Sequence, residues 1–254
     1  MGSLLAALGR WSISQLRELG GMGLLGLLAL RYCFPLRWDL FFKQSERIGV
    51  RSLPVILLSS AFIGMVFALE TFYALRKFGA ETMVGASLAL AMARELGPVF
   101  TAVMLTARAG SAMAAELGTM RVTEQIDALE AMAVNPISYL VVPRIMGSTL
   151  LAPILTGISD FIGIVGGYVI GVLVLGINAG AFVSNIEKYL EVTDIYYGLL
   201  KAAVFGFLLA LICCYKGYSV RGGAEGVGRA TTESVVFSMV MILVADYILT
   251  ALLF

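Results

Sequence analysis

The stretch MVGASLALAMARELGPVFTAVMLTA, residues 83–107, decides how the rest of the chain is read. Its only ionisable side chains are the adjacent Arg94 and Glu95. Roughly 20 apolar residues suffice for a helix to cross the hydrocarbon core of a bilayer. The run is long enough, and a charge pair sits in its middle.

Composition points the same way. Of 254 residues, 59% are hydrophobic and 14% charged, and the mean hydropathy is +0.92. A water-soluble domain of this length needs far more polar surface. Inside a bilayer the backbone must satisfy itself, through helices or a closed barrel. Barrel strands alternate in polarity over about 10 residues. The apolar runs here are continuous, so the expected fold is an all-α integral membrane protein.

The formal net charge of +1 carries no basic nucleic-acid footprint. Histidine is absent, which removes the commonest general base and metal ligand. Cys33, Cys213 and Cys214 lie in apolar surroundings without metal or disulfide spacing and read as packing residues. No metal site or catalytic constellation is expected.

The first twenty residues do not read as a cleavable signal, because Arg10, Arg17 and Glu18 interrupt them. Leu4, Leu5, Leu8, Trp11, Leu16 and Leu19 recur near helical spacing. That pattern fits an interfacial helix, and equally an amphipathic start packed on the rest of the protein. Segment 22–36, broken by Arg31 and Pro35, reads as interfacial or re-entrant. Residues 1–47 thus form an N-terminal interfacial or elbow segment, and 48–254 the transmembrane domain.

Apolar runs place spans at about 52–69, 83–117, 195–215 and 233–254. Residues 145–186 carry a single charge, Asp160, and fit one long helix plus a surface segment, or two short helices. The positive-inside rule decides between them. With one helix, five spans result, and most Lys and Arg collect on the N-terminal side. The acidic EKYLEVTD, Glu187 to Asp194, then falls on the other side. This puts the N-terminus in the cytoplasm and the C-terminus outside. Small residues at fourfold spacing, Gly110/Ala114/Gly118 and Gly163/Gly167/Gly171, mark close helix contacts, most simply within one chain.

Arg94 and Glu95 point about 100° apart on a helix, and no opposite charge lies three or four residues from either. Each needs a partner on another helix, in water or on a ligand, since an unpaired intramembrane charge costs on the order of 3 kcal/mol or more. Pro98 removes its own N–H and crowds the carbonyl of Arg94. Two readings stay open: a polar cavity that meets substrate, or pairing with Glu70, Asp160, Lys201 or Asp246. Residues 119–135 read as a short amphipathic helix, with Val122, Ile126, Leu129 and Ala133 on one face and Glu124, Asp127 and Glu130 on another. It is either a solvated surface helix or a docking helix for a soluble partner. The glycine-dense loop 216–234 lacks the P-loop pattern. Gly222, Gly223, Gly226 and Gly228 are expected to permit an unusual backbone path instead.

RELGPVFTAVMLTARAGSAMAAELGTMRVTEQIDALEAMAVNP (94–136), VVPR (141–144) and RGGAEGVGRATT (221–232) together resemble the MlaE/YrbE-type permeases, over about Ile48 to Phe254. These are membrane subunits of MCE-associated lipid ABC transporters in Gram-negative and related bacteria. The resemblance implies a multi-pass inner-membrane permease that works as a homodimer and moves phospholipid between inner and outer membrane to maintain lipid asymmetry. It implies a cytoplasmic ABC ATPase dimer that binds ATP and Mg, a STAS-domain accessory protein and a periplasmic MCE-domain hexamer. This chain itself would be no enzyme and would hold no cofactor. Arg94 and Glu95, with Pro98 and Glu70, become candidates for the lipid cavity. Met120, Arg121, Glu124, Gln125, Asp127 and Glu130 become candidates for the ATPase-coupling helix. Two departures are mild: Ala107 starts a motif that often begins with Gly, and Asn135 stands where Asp often precedes the proline. The competing reading is an autonomous ion-coupled transporter or channel, with Arg94, Glu95, Asp160 and Asp246 as a relay.

Overall fold

A computed structural model describes residues 2–32 and 38–253, without the side chains of 2–12, 14 and 15. The expectations for Leu4, Leu5, Leu8, Arg10, Trp11, Cys33 and Pro35 therefore lie outside the described parts. The described residues are helical with short connections, and no strand occurs among them.

Helix α1 covers Gly2–Arg31 and α2 covers Trp38–Ile48. Five helices then have the length and apolarity to cross a membrane: α3 Leu53–Arg76, α4 Glu81–Val122, α6 Ile137–Val174, α8 Val192–Tyr218 and α9 Gly223–Leu253. Between them lie the short α5, Gln125–Ala131, and α7, Ala179–Tyr189. The five-span reading holds, and 145–186 divides into one long helix and a separate amphipathic segment.

Three boundaries differ from expectation. Segment 22–36 does not start a new element, because α1 runs unbroken to Arg31. A Cβ on Gly26 would touch Leu211, and one on the preceding Gly21 would strike the Tyr215 ring, whereas Gly23 faces open space. The last span begins ten residues early, at Gly223 rather than 233. Of the four glycines, Gly222 and Gly223 take left-handed backbone (φ 92° and 70°), while Gly226 and Gly228 lie within α9, where a Cβ on Gly226 would overlap the Arg221 carbonyl and one on Gly228 would meet open space. The helix within 119–135 covers only Gln125–Ala131. Glu124 (φ 59°) and Ala133 (φ 58°) adopt left-handed backbone on either side of it and turn the chain away from helix.

The small-residue series pack within the chain. Gly163 meets Met92 and the Ser60 carbonyl, Gly167 meets Leu88 and the Gly64 carbonyl, and a Cβ on Gly64 would overlap the Gly163 carbonyl. Spans α3 and α6 thus touch backbone to backbone, as small residues allow in lipid. Gly110 lies against Cys213 and Gly217 against Ala114, which joins α4 to α8. Cys213 and Cys214 are buried and unpaired, in keeping with a packing role.

Candidate functional site

In α4 the regular hydrogen bonding widens at Met92–Leu96, where the Gly97 N–H reaches back five residues to the Met92 carbonyl. A widened turn of this kind is rare and gathers at functional sites. It carries Arg94 and Glu95. Pro98 follows and is buried. A Cβ on Gly198 of α8 would overlap the Ala93 carbonyl, so α8 presses directly on the distorted turn.

Both charges find partners across that contact. Arg94 donates through Nε (2.8 Å) and Nη2 (2.7 Å) to Asp194 Oδ1. Asp194 is itself buried and fixed, because its Oδ2 accepts the Glu191 N–H at 3.1 Å in the capping box that opens α8. Glu95 Oε2 meets Lys201 Nζ at 2.7 Å, and Glu95 Oε1 accepts from Thr250 Oγ1 at 3.1 Å. Lys201 also lies 2.6 Å from Asp246 Oδ1 on α9. The carbonyl of Arg94, deprived of a helical donor by Pro98, accepts from Lys201 Nζ at 2.9 Å. The proline signal in the sequence and the lysine in space answer each other.

Lys201 is fully buried, whereas the side chains of Arg94 and Glu95 keep 40% and 37% of their exposure. The cluster is anchored in protein on one side and open on the other. Of the partners expected from sequence, Lys201 and Asp246 are present. Asp160 is not: its Oδ1 abuts Gly97 and has no hydrogen-bond partner among the described residues. Nor is Glu70, which is exposed on α3. Asp194 was missed, since an acid in a hydrophilic connection reads as a solvated charge; the Glu191–Asp194 spacing of a capping box was its signal.

Glu70 belongs instead to a groove of about 400 Å³ between α3 and α4, lined by Phe62, Ile63, Val66, Phe67, Leu96 and Phe100. Leu96 stands in the same distorted turn as Arg94 and Glu95. The groove wall is apolar apart from Glu70, and it shares only Leu96 with the turn whose charges face α8. Such a surface suits an amphipathic molecule.

A second candidate surface lies at the α5 end. Ile126 is fully buried and Leu129 half-buried, but Val122 and Ala133 of the expected apolar face are exposed. The two left-handed residues rotate them out of register. Glu124, Gln125, Asp127 and Glu130 are exposed. Arg121 pairs with Asp127 at 2.7 Å and stacks on the Tyr218 ring, while Met120 turns toward the core. Asn135 Oδ1 accepts from the N–H groups of Ile137 (3.0 Å) and Ser138 (3.4 Å), so an amide oxygen caps the start of α6. A further link escaped the sequence reading: Glu116 joins Arg47 of α2 (2.9 Å) to the buried Arg144 of α6 (2.8 Å).

Comparison with known proteins agrees with this architecture. The family model described as permease MlaE matches residues 41–252. A probable ABC transporter permease protein of Rickettsia conorii is 41% identical over 250 residues, 98% of this chain and 96% of that one. The intermembrane phospholipid transport system permease protein MlaE of Haemophilus influenzae is 39% identical over 259 residues, 99% and 98% of the two chains. The chloroplastic protein trigalactosyldiacylglycerol 1 of Arabidopsis thaliana is 39% identical over 219 residues, 86% of this chain and 63% of that one.

Proposed function

Because the chain belongs to the MlaE permease family, we propose that it is the membrane subunit of an ATP-driven transporter whose cargo is phospholipid. The observation that carries this reading is the apolar groove between α3 and α4, which holds Glu70 and takes Leu96 from the turn that bears Arg94 and Glu95. Acyl chains would lie along Phe62, Val66, Phe67 and Phe100, and the headgroup would face the half-exposed charges. A groove without charge would hold oil, and a charged site without the groove would hold ions. The combination favours a lipid.

The remaining assembly follows the family. ATP and Mg would bind to a separate cytoplasmic ATPase dimer, and this chain would receive motion through α5. Two copies of the permease would pair in the inner membrane. A STAS-domain protein would join on the cytoplasmic side and an MCE-domain hexamer on the periplasmic side, with the N-terminus inside and the C-terminus outside. The ion-relay alternative is weakened because Arg94, Glu95, Lys201 and Asp246 are paired with one another or with Asp194, while Asp160 stands apart.

The test is Val66→Arg in the purified transporter. A guanidinium in the groove should remove co-purifying phospholipid and transfer of labelled lipid between donor and acceptor vesicles, while ATPase association persists. Unchanged lipid content and transfer would overturn the reading.

A further inference from the structure

A separate, strongly basic groove of about 220 Å³ lies at the bundle end that carries α5, between α2 and the last turns of α4. Its walls include Gln44, Arg47, Arg51, Arg108 and Glu116. Arg108 lies twelve residues from Leu96 along α4, about 18 Å at helical rise, so this groove is distinct from the apolar one.

Its charge is unbalanced. Glu116 is the one carboxylate in the wall, and it is shared between Arg47 and Arg144. Arg108 meets no acid among the described residues; its Nη1 donates to the Arg47 carbonyl and, at 3.5 Å, to Ser52 Oγ. Arg51 is exposed and makes no ion pair among the described residues. Two guanidiniums therefore face the groove without a counter-ion among the described residues. Guanidinium forks match the oxygens of a phosphate group and bind it through charge-assisted hydrogen bonds.

The surroundings choose the source of that phosphate. Helix α2 begins with a cluster of aromatic rings, Trp38, Phe41 and Phe42, with centroids 5.5–6.1 Å apart. Trp38 and Phe42 are exposed. Tryptophan settles at headgroup depth, and exposed Phe beside it suits a helix that lies in the interface. Val55 and Leu58 of α3 are exposed apolar residues near the same end of the bundle. A charged pocket with exposed aromatic and aliphatic surface beside it suits a lipid headgroup better than a free ion.

We propose that this groove binds the phosphate of an acidic phospholipid from the leaflet on the α5 side, as a lipid site separate from the transport groove. It rests on the orientation given above only for the name of that leaflet. Bound lipid would tie α2 to the second widened turn of α4, Thr106–Gly110, which carries Arg108.

The experiment places a photoreactive benzophenone residue at position 44, in place of Gln44, in the full chain within native membranes. After irradiation, the adducted lipid is identified by mass spectrometry and compared with the bulk composition. Acidic phospholipid should be enriched over its bulk share. Arg51→Gln, which removes an exposed and unpaired side chain, should lower the enrichment about fivefold, the scale of one basic residue beside an anionic surface. Arg108→Gln should do the same. Adducts that mirror the bulk composition, or enrichment untouched by Arg51→Gln, would overturn the proposal. So would loss of the enrichment when millimolar inorganic phosphate is present during irradiation, which would identify a soluble ion as the ligand. Val66→Arg should leave the adduct intact, so failure here and failure of the transport reading are separable.

Discussion

Lys201→Met tests the central ion cluster most directly. Four oxygens surround the fully buried Nζ: Glu95 Oε2 (2.7 Å), Asp246 Oδ1 (2.6 Å), the Arg94 carbonyl (2.9 Å) and Thr250 Oγ1 (2.9 Å). Methionine fills similar volume but leaves two carboxylates facing each other without a cation. Breaking a buried pair by removing one partner costs about 3–5 kcal/mol. Glu95 and Asp246 keep 37% and 20% of their side-chain exposure, so water softens the loss toward the lower end, about 3 kcal/mol. For a domain of this size each kcal/mol moves the melting midpoint by about 2–4 °C, which predicts a fall of about 6–12 °C. The assay is the fraction of detergent-purified protein that stays monodisperse on size exclusion after heating. Adding Glu95→Gln and Asp246→Asn to Lys201→Met removes the stranded charges and should recover more than half of the fall. A single variant as heat-stable as the parent, or a triple variant worse than the single one, would refute the reasoning.

Three other perturbations have definite expected outcomes. Gly64→Ala drives a Cβ into the Gly163 carbonyl and should cost about 1–3 kcal/mol, as overpacking does. Gly228→Ala, with open space around its Cβ, should raise stability by up to about 1 kcal/mol; the same heating assay reads both. Glu116→Gln strips the buried Arg144 of its carboxylate and should destabilise by about 3 kcal/mol, with the protease sensitivity of α2 rising in parallel. Glu124→Lys combined with Asp127→Lys should abolish co-purification of an ATPase while membrane insertion stays normal; unchanged co-purification would sink the docking role of α5.

The spans were legible because hydrophobic length is a local property that one segment carries by itself. The weakness in the backbone at Arg94 was legible for the same reason: a proline announces the carbonyl it leaves without a donor. Identifying the lysine that fills the gap is a different problem. Lys201 stood out as a charge inside an apolar run, whereas Asp194 did not, because it sits three residues into α8 beside other acids. Arg144 carried the same kind of signal as Arg94 and went unread, so its pairing with Glu116 appears only in three dimensions. The ends of α5 had no local signal at all. Glu124 and Ala133 take left-handed backbone that favours glycine, on either side of a helix that buries Ile126. The glycines of 222–228 misled in the opposite direction, since two of them turn the chain and two continue a helix.

Adjacent residues on a helix point apart, and the structure shows what that divergence does at Arg94 and Glu95. Their partners on α8, Asp194 and Lys201, are separated by seven residues, two helical turns or about 10 Å along the axis. One charge reaches toward the start of α8 and its neighbour reaches deeper into the bundle. The widened turn at Met92–Leu96 lets both leave the same point of α4, and the bare backbone at Gly198 lets α8 come close enough to receive them. Lys201 then passes the contact on to Asp246 of α9. A single distorted turn thereby fixes α4 to both ends of one seam and, through it, to the last span. Had Arg94 and Glu95 sat at i and i+4, they would have neutralised each other on one helix, and the three spans would lack this tie.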